Sequence, residues 1–272
     1  MMGESSFLMA YCTFVVAVFG LCMGSFLNCL AWRMTHGESV LRGRSHCTSC
    51  GHELSARDLV PVLSWLVSGG KCRYCGERVS PRYPATELLC CVAFVSIFLR
   101  YGLTLEAAEL VAFASVLLVL SLTDLDEYVI PNATIVAAIV VRAAYVVAVG
   151  LTGSGVALAL ARDSIVSGVV VAVPIIALAL IMDRVLGRES LGGGDVKLFF
   201  VAGLYFGWQQ CIFIILLACV LGIVFGMVGQ SQHSDDGKSD PRLIPFGPSI
   251  ALACWVCMLV GEPVVSWYLG LF

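Results

Sequence analysis

The sequence predicts an all-α polytopic membrane protein with one small soluble loop domain, on three observations. Hydrophobic residues fill 59% of the 272 positions, against roughly 45–50% in ordinary soluble domains. Charged residues make up only 13%, about half the usual share. The apolar residues come in long runs, and the basic residues gather in the few segments between them. The net charge of -3 carries little information, because in such a chain the placement of charge matters more than its sum. No basic patch suggests nucleic acid, and the expected surroundings are a lipid bilayer.

About 20 apolar residues are needed for each crossing. On that measure the spans fall at 7–31, 85–99, 106–122, 129–149, 164–182, 196–208, 211–229 and 248–269, the sixth being short. The first run has no basic residue before Phe7 and continues past Trp32 into a basic segment, which fits a retained span rather than a cleaved signal peptide. Of the 16 lysines and arginines, only Arg100, Arg142 and Arg162 lie outside 33–83, 183–197 and 230–247. The rule that cytoplasmic loops are rich in Lys and Arg therefore puts these three segments in the cytoplasm and both termini outside. The expected domains are a first transmembrane helix at 1–32, a cytoplasmic loop domain at 33–84 and a transmembrane domain at 85–272. Gly229 to Pro241, polar and without periodicity, reads as a flexible cytoplasmic connection.

The loop at 33–84 is near the size below which a core alone does not suffice. Of the 13 cysteines, Cys12, Cys22, Cys29, Cys90, Cys91, Cys211, Cys219, Cys254 and Cys257 lie in apolar runs, where a thiol acts as a small hydrophobe. The other four form Cys47-Thr48-Ser49-Cys50 and Cys72-Arg73-Tyr74-Cys75, with 21 residues between the pairs. That is just beyond the common four-cysteine zinc spacing of about 15–20. Four thiolates close a tetrahedral structural Zn2+ site, whose binding energy folds a loop too small to fold alone. His46 and His52 flank the first pair as alternative ligands. Disulfides are the rival reading, disfavoured in the cytoplasm; a redox pair is another, and it lacks a βαβ context.

Two stretches place acids at membrane edges. Thr123-Asp124-Leu125-Asp126-Glu127 joins the third and fourth spans, and Leu191-Gly192-Gly193-Gly194-Asp195-Val196-Lys197 opens the sixth. Each has a plain reading: a tight loop with acids near a helix start, and a glycine hinge with a helix cap. Both fall on the expected cytoplasmic face, where helix packing can bring Asp124 and Asp195 together. Carboxyls a few ångströms apart do not both ionise easily, so one serves as base and the other as acid. Such a pair can hydrolyse an amide, and glycines without Cβ atoms leave room for a peptide. The four histidines, His36, His46, His52 and His233, all lie in loops, so none is placed to activate a Ser or Cys nucleophile. A transporter using intramembrane carboxylates for proton or cation coupling is the alternative, and a zinc-stapled scaffold is a third reading.

Across nearly its whole length the chain resembles the type IV prepilin peptidases, membrane aspartic proteases of the Gly-x-Gly-Asp kind. The resemblance rests on Gly24-Ser25-Phe26-Leu27-Asn28-Cys29-Leu30 with Arg33, the paired cysteines followed by Arg82-Tyr83-Pro84 and Glu87, Asp124 to Asn132, Gly192 to Asp195, and Pro245-Phe246-Gly247-Pro248. Thr48 stands where the family often has proline, and Ser249 where an aromatic is common. The resemblance implies a bacterial inner-membrane endopeptidase that cuts the basic leader from prepilins or pseudopilins at the cytoplasmic face, just after a glycine. It maps the catalytic pair onto Asp124 and Asp195, with Asp126 the rival at the first position. It also implies S-adenosylmethionine-dependent N-methylation of the new N-terminus. The loop is too short for a doubly wound cofactor domain and has no Gly-x-Gly-x-x-Gly fingerprint, so methyl transfer would need an unfamiliar site.

Overall fold

The computed structural model describes residues 2–39, 43–153, 155–187, 191–232 and 245–271, with side chains left undescribed at 2–6 and 228–232. The helices are α1 (Met2–Thr35), α2 (Leu63–Val67), α3 (Arg82–Tyr101), α4 (Leu105–Glu127), α5 (Asn132–Leu151), α6 (Ala157–Leu186), α7 (Gly193–Gln232) and α8 (Gly247–Leu269). Among the described residues the only β pairing is two isolated antiparallel bridges. Among the described residues seven helices are long and apolar enough to cross a membrane, so this is a multi-pass membrane protein. The expected connection at 229–241 begins inside α7 and lies outside the described residues from 233 onward. The chain forms two compact units, Met1–Ala107 and Ala108–Phe272.

In the first unit α1 lies against α3 through a stripe of small residues. A Cβ on Gly20 would lie 2.8 Å from the Cys91 Cα, and one on Gly24 would lie 2.7 Å from the Glu87 Cα. One turn further on, Asn28 donates to the Thr86 hydroxyl. In lipid, where burying apolar surface between helices gains little, close approach through small-xxx-small spacing and polar side chains is what joins them. The loop between α1 and α3 has its own small packing centre. The Trp65 indole donates to the Val79 carbonyl at 3.0 Å, and its ring fills the space beside Gly70 that a Cβ would occupy.

In the second unit the expected sixth and seventh spans both lie within α7, which breaks at Gly207 (φ 76°, ψ 163°). Gly207 reverses the chain. Before the break, Phe199 lies 6.4 Å from the Phe246 ring; after it, a Cβ on Gly222 would meet the same ring at 2.8 Å. Gln210, just past the break, instead reaches Cys257, three turns along α8. The two halves of α7 are therefore an antiparallel pair flanking α8, and the eight expected segments are all present. The half at 193–206 is about 21 Å long at 1.5 Å per residue, short of the roughly 30 Å hydrocarbon core. Behind it α6 approaches closely: a Cβ on Gly203 would lie 2.7 Å from the Gly168 Cα.

The turn end of this unit is pinned by Arg142, one of the charges expected inside a span. Its Nη1 donates to both Glu109 oxygens at 2.9 and 3.1 Å, while Nε and Nη2 donate to the Ser164 hydroxyl. Tyr205 closes the cluster, stacked on Phe113 and donating to the Ala138 carbonyl at 2.7 Å. Side chains from α4, α5, α6 and α7 thus converge on one satisfied network. Because a lone buried charge is far costlier than a paired one, Arg142→Ala should destabilise the fold by about 3–5 kcal/mol, and Glu109→Leu with Arg142→Leu should recover most of that loss. Denaturation in mixed micelles measures both, and a single variant as stable as the wild type would refute the pinning role.

Candidate active site and metal centre

The helix-start expectation for Asp124 is corrected by the structure. The residue sits on the last turn of α4, which continues to Glu127, where Tyr128 turns the chain at φ 54°. There the macrodipole gives a carboxylate no support, so helix stability does not explain the residue. Asp124 is 5% exposed, whereas Asp126 points to the surface. The side chain is held from α8: the Gly247 N–H donates to its Oδ2 at 2.9 Å. A Cβ on Gly247 would stand 2.7 Å from that oxygen, so no other residue fits without displacing the carboxyl or the start of α8.

Asp195 lies in the first turn of α7. Its carboxyl reaches back to the Gly192 N–H and lies near enough to Asp124 for their charges to interact. Each glycine before it has a different task. A Cβ on Gly192 would lie 3.0 Å from the Asp195 Oδ2, and one on Gly194 would lie 2.8 Å from the Ile130 Cβ. Among the described residues only Gly193 faces open space, so the room expected at all three glycines narrows to one. Lys197 donates to the Asn132 Oδ1 at 2.8 Å, joining the first turns of α7 and α5. One end of the bundle thus gathers the end of α4 with the starts of α5, α7 and α8 around two carboxyls.

In the first unit the Cys47, Cys50, Cys72 and Cys75 sulfurs all lie within 4.8 Å of one another and could hold a metal ion. Cys47 and Cys75 are 3.9 Å apart, close to the roughly 3.8 Å edge of a tetrahedron with 2.3 Å metal–sulfur bonds. Each pair is a knuckle built alike. The Gly51 N–H donates to the Cys47 carbonyl and the Gly76 N–H to the Cys72 carbonyl, and both glycines have positive φ. The bridges His46 with Glu53 and Lys71 with Arg78 close the knuckles. Backbone N–H groups of Cys50 and Ser49 lower the Cys47 thiol to about 6, whereas desolvation and the neighbouring thiols push Cys75 up to about 12, so the negative charge of the cluster gathers on Cys47. The two histidines considered as ligands are engaged elsewhere: His46 meets the edge of Trp32, and His52 lies 3.7 Å from the Tyr74 ring.

Residues 111–227 match the model of the Type IV leader peptidase family, and residues 18–101 match that of the Bacterial Peptidase A24 N-terminal domain. The chain is 31% identical over 279 residues to a prepilin leader peptidase/N-methyltransferase of Pseudomonas putida, covering 94% of this chain and 93% of that protein. The chain belongs to the type IV leader peptidase family. A relative of the same description from Bacillus subtilis is 30% identical, covering 94% and 97% of the two chains. One from Myxococcus xanthus is 32% identical, covering 83% of this chain and 64% of its own. No solved structure matches the chain.

Within this family member, sequence reasoning noted Pro245 to Pro248 only by resemblance and missed that Gly247 holds Asp124. It also missed the packing role of Gly20 and Gly24, although their four-residue spacing in an apolar run is a readable signal. Two outcomes are expected. Gly247→Ala, an overpacking change, should cost about 1–3 kcal/mol in thermal unfolding, and an unchanged protein would show that the contact is not tight. Protein loaded with Co2+ should show the thiolate charge-transfer bands of a tetrahedral site, and Cys72→Ser should lose them; unaltered spectra would remove Cys72 from the metal centre.

Proposed function

We propose that the chain is a membrane-embedded aspartic endopeptidase, with Asp124 and Asp195 as its catalytic pair. The observation that carries this reading is their convergence from α4 and α7 at one end of the second unit, with charges near enough to interact. In the chemistry we assign, the ionised carboxyl takes a proton from a water molecule as its oxygen attacks the scissile carbonyl carbon. The protonated carboxyl gives its proton to the carbonyl oxygen, forming a gem-diol; as the C–N bond breaks, the carboxyl that took the water's proton passes it to the departing amine, and a diol hydroxyl returns a proton to the other carboxyl. The exposure of Asp126 favours Asp124 at the first position. Open space at Gly193 is the natural place for the substrate backbone.

The described activity of the relatives supports prepilins or pseudopilins as substrates and N-methylation of the newly freed amine as a second activity. S-adenosylmethionine, when bound, supplies an electrophilic methyl group. We assign Zn2+ to the four-cysteine cluster, in keeping with its four-sulfur tetrahedral donor set. The basic segments support a cytoplasmic catalytic face in a bacterial inner membrane. Family membership gives no support to the transporter alternative.

Purified protein in detergent is incubated with a synthetic prepilin, with and without S-adenosylmethionine, and the products are weighed. Asp124→Asn and Asp195→Asn should each cut the cleavage rate at least about a hundredfold, while Asp126→Asn should cleave near the wild-type rate. Full cleavage by either of the first two would sink the assignment, and loss in Asp126→Asn would transfer the role to that residue.

A further inference from the structure

The first unit contains a cavity of about 420 Å³, bounded by α1, the knuckle loop and the start of α3. That is within the roughly 300–1,000 Å³ typical of small-molecule sites. Its described lining residues all lie between Ser25 and Glu87, within the first unit. Two charged residues on its wall are unusual. Arg33 is 8% exposed, and its one side-chain polar contact among the described residues is a 3.3 Å bond from Nη1 to the Ser39 carbonyl. No carboxylate pairs with it among the described residues. Glu87 is 7% exposed; its Oε2 accepts the Val62 N–H at 2.7 Å, which leaves Oε1 without a donor among the described residues.

Buried charges are ordinarily paired, because an unpaired one carries a desolvation cost of several kcal/mol. Here a buried cation and a buried anion line one cavity and do not pair with each other. The backbone is also bent to serve Glu87: Val62, a β-branched residue, sits at φ 59° where its N–H meets the carboxylate, a conformation that costs energy unless its surroundings enforce it. The complement to such a wall is a small zwitterion, a carboxylate for the guanidinium fork and an ammonium for the free carboxylate oxygen. Trp32, Trp65, His46 and Tyr83 supply aromatic surface around the same space, suited to a flat heterocycle and to a cation over a ring face.

We propose that this cavity holds the methyl donor S-adenosylmethionine, with its α-carboxylate on Arg33, its α-ammonium on Glu87 and its adenosine among the aromatic side chains. The proposal rests on the reading that the chain transfers methyl groups, and it locates that activity in the first unit. Cys47 and Cys72 also line the cavity. The metal centre therefore shapes the wall, and chelation should abolish donor binding.

The test is calorimetric binding to the full chain in detergent, using S-adenosylhomocysteine and 5′-methylthioadenosine, which lacks the amino-acid end. The wild type should prefer S-adenosylhomocysteine at least about tenfold, the factor expected for one hydrogen bond to a charged group. Arg33→Gln and Glu87→Gln should each erase that preference while binding methylthioadenosine as the wild type does, and Arg33→Lys should restore part of it. Metal content per chain checks that the loop is folded. Equal wild-type affinity for the two ligands would overturn the placement even if neither variant folds. Unaltered preference in both variants, with methylation intact, would place the donor elsewhere and leave the methyl-transfer reading standing. A wild type that neither binds S-adenosylmethionine nor methylates would end that reading and the proposal with it.

Discussion

The second unit is arranged around the hydrogen bond from the Gly247 N–H to Asp124. It requires the start of α8 to stand against the end of α4 with no side chain between them, and the rest of the unit makes that approach possible. Gly207 turns α7 back on itself so that both of its halves flank α8. The paired close contacts of Gly168 and Gly203 fix α6 behind the first half. The Arg142 network holds the opposite end, so the short half of α7 cannot slide along its neighbours without breaking a buried ion pair. Asp195 is thereby delivered to the neighbourhood of Asp124 by helix packing rather than by a loop of its own. Catalytic geometry built on packed helices is held more tightly than geometry built on loops.

The first unit solves a different problem. Its soluble loop is too small to build a core, so two like knuckles and one tryptophan replace it. Asp58 stitches the pieces together, accepting from the Ser55 hydroxyl and the Tyr74 hydroxyl and lying 3.4 Å from the Arg73 guanidinium. The Ser55 hydroxyl is the main cause of its lowered pKa. Its contribution to stability is therefore present above the ordinary carboxylate range and fades as the pH falls through the lowered value. The buried Arg33 and Glu87 each make one bond within this scaffold, to the Ser39 carbonyl and the Val62 N–H, and among the described residues neither pairs with an opposite charge.

Membership of the type IV leader peptidase family and the membrane character of the chain were legible in the residues themselves. So were the spans, because a hydrocarbon slab imposes a length on every crossing and leaves a visible run in the sequence. The four cysteines were legible because thiolate chemistry needs two close pairs, and close pairs are local in the chain. The role of Gly247 was not, since Asp124 and Gly247 are 123 positions apart and the space between them is defined only once α7 has turned. The same holds for the three glycines before Asp195. Their identity was plain, but which one lies open depends on Ile130 and on the carboxyl of Asp195 itself.

By itself, then, the sequence determined the membrane class, the number of segments, the thiolate cluster and the two acidic motifs, all features whose physical cause acts over a few turns of helix or one short loop. Tertiary structure alone decided that Asp124 ends a helix instead of starting one, that it is buried while Asp126 is not, and that a guanidinium and a carboxylate line one cavity without pairing with each other. These depend on which surfaces meet when helices pack, and in lipid that is settled by small-residue approach and polar satisfaction, neither of which a hydropathy pattern records.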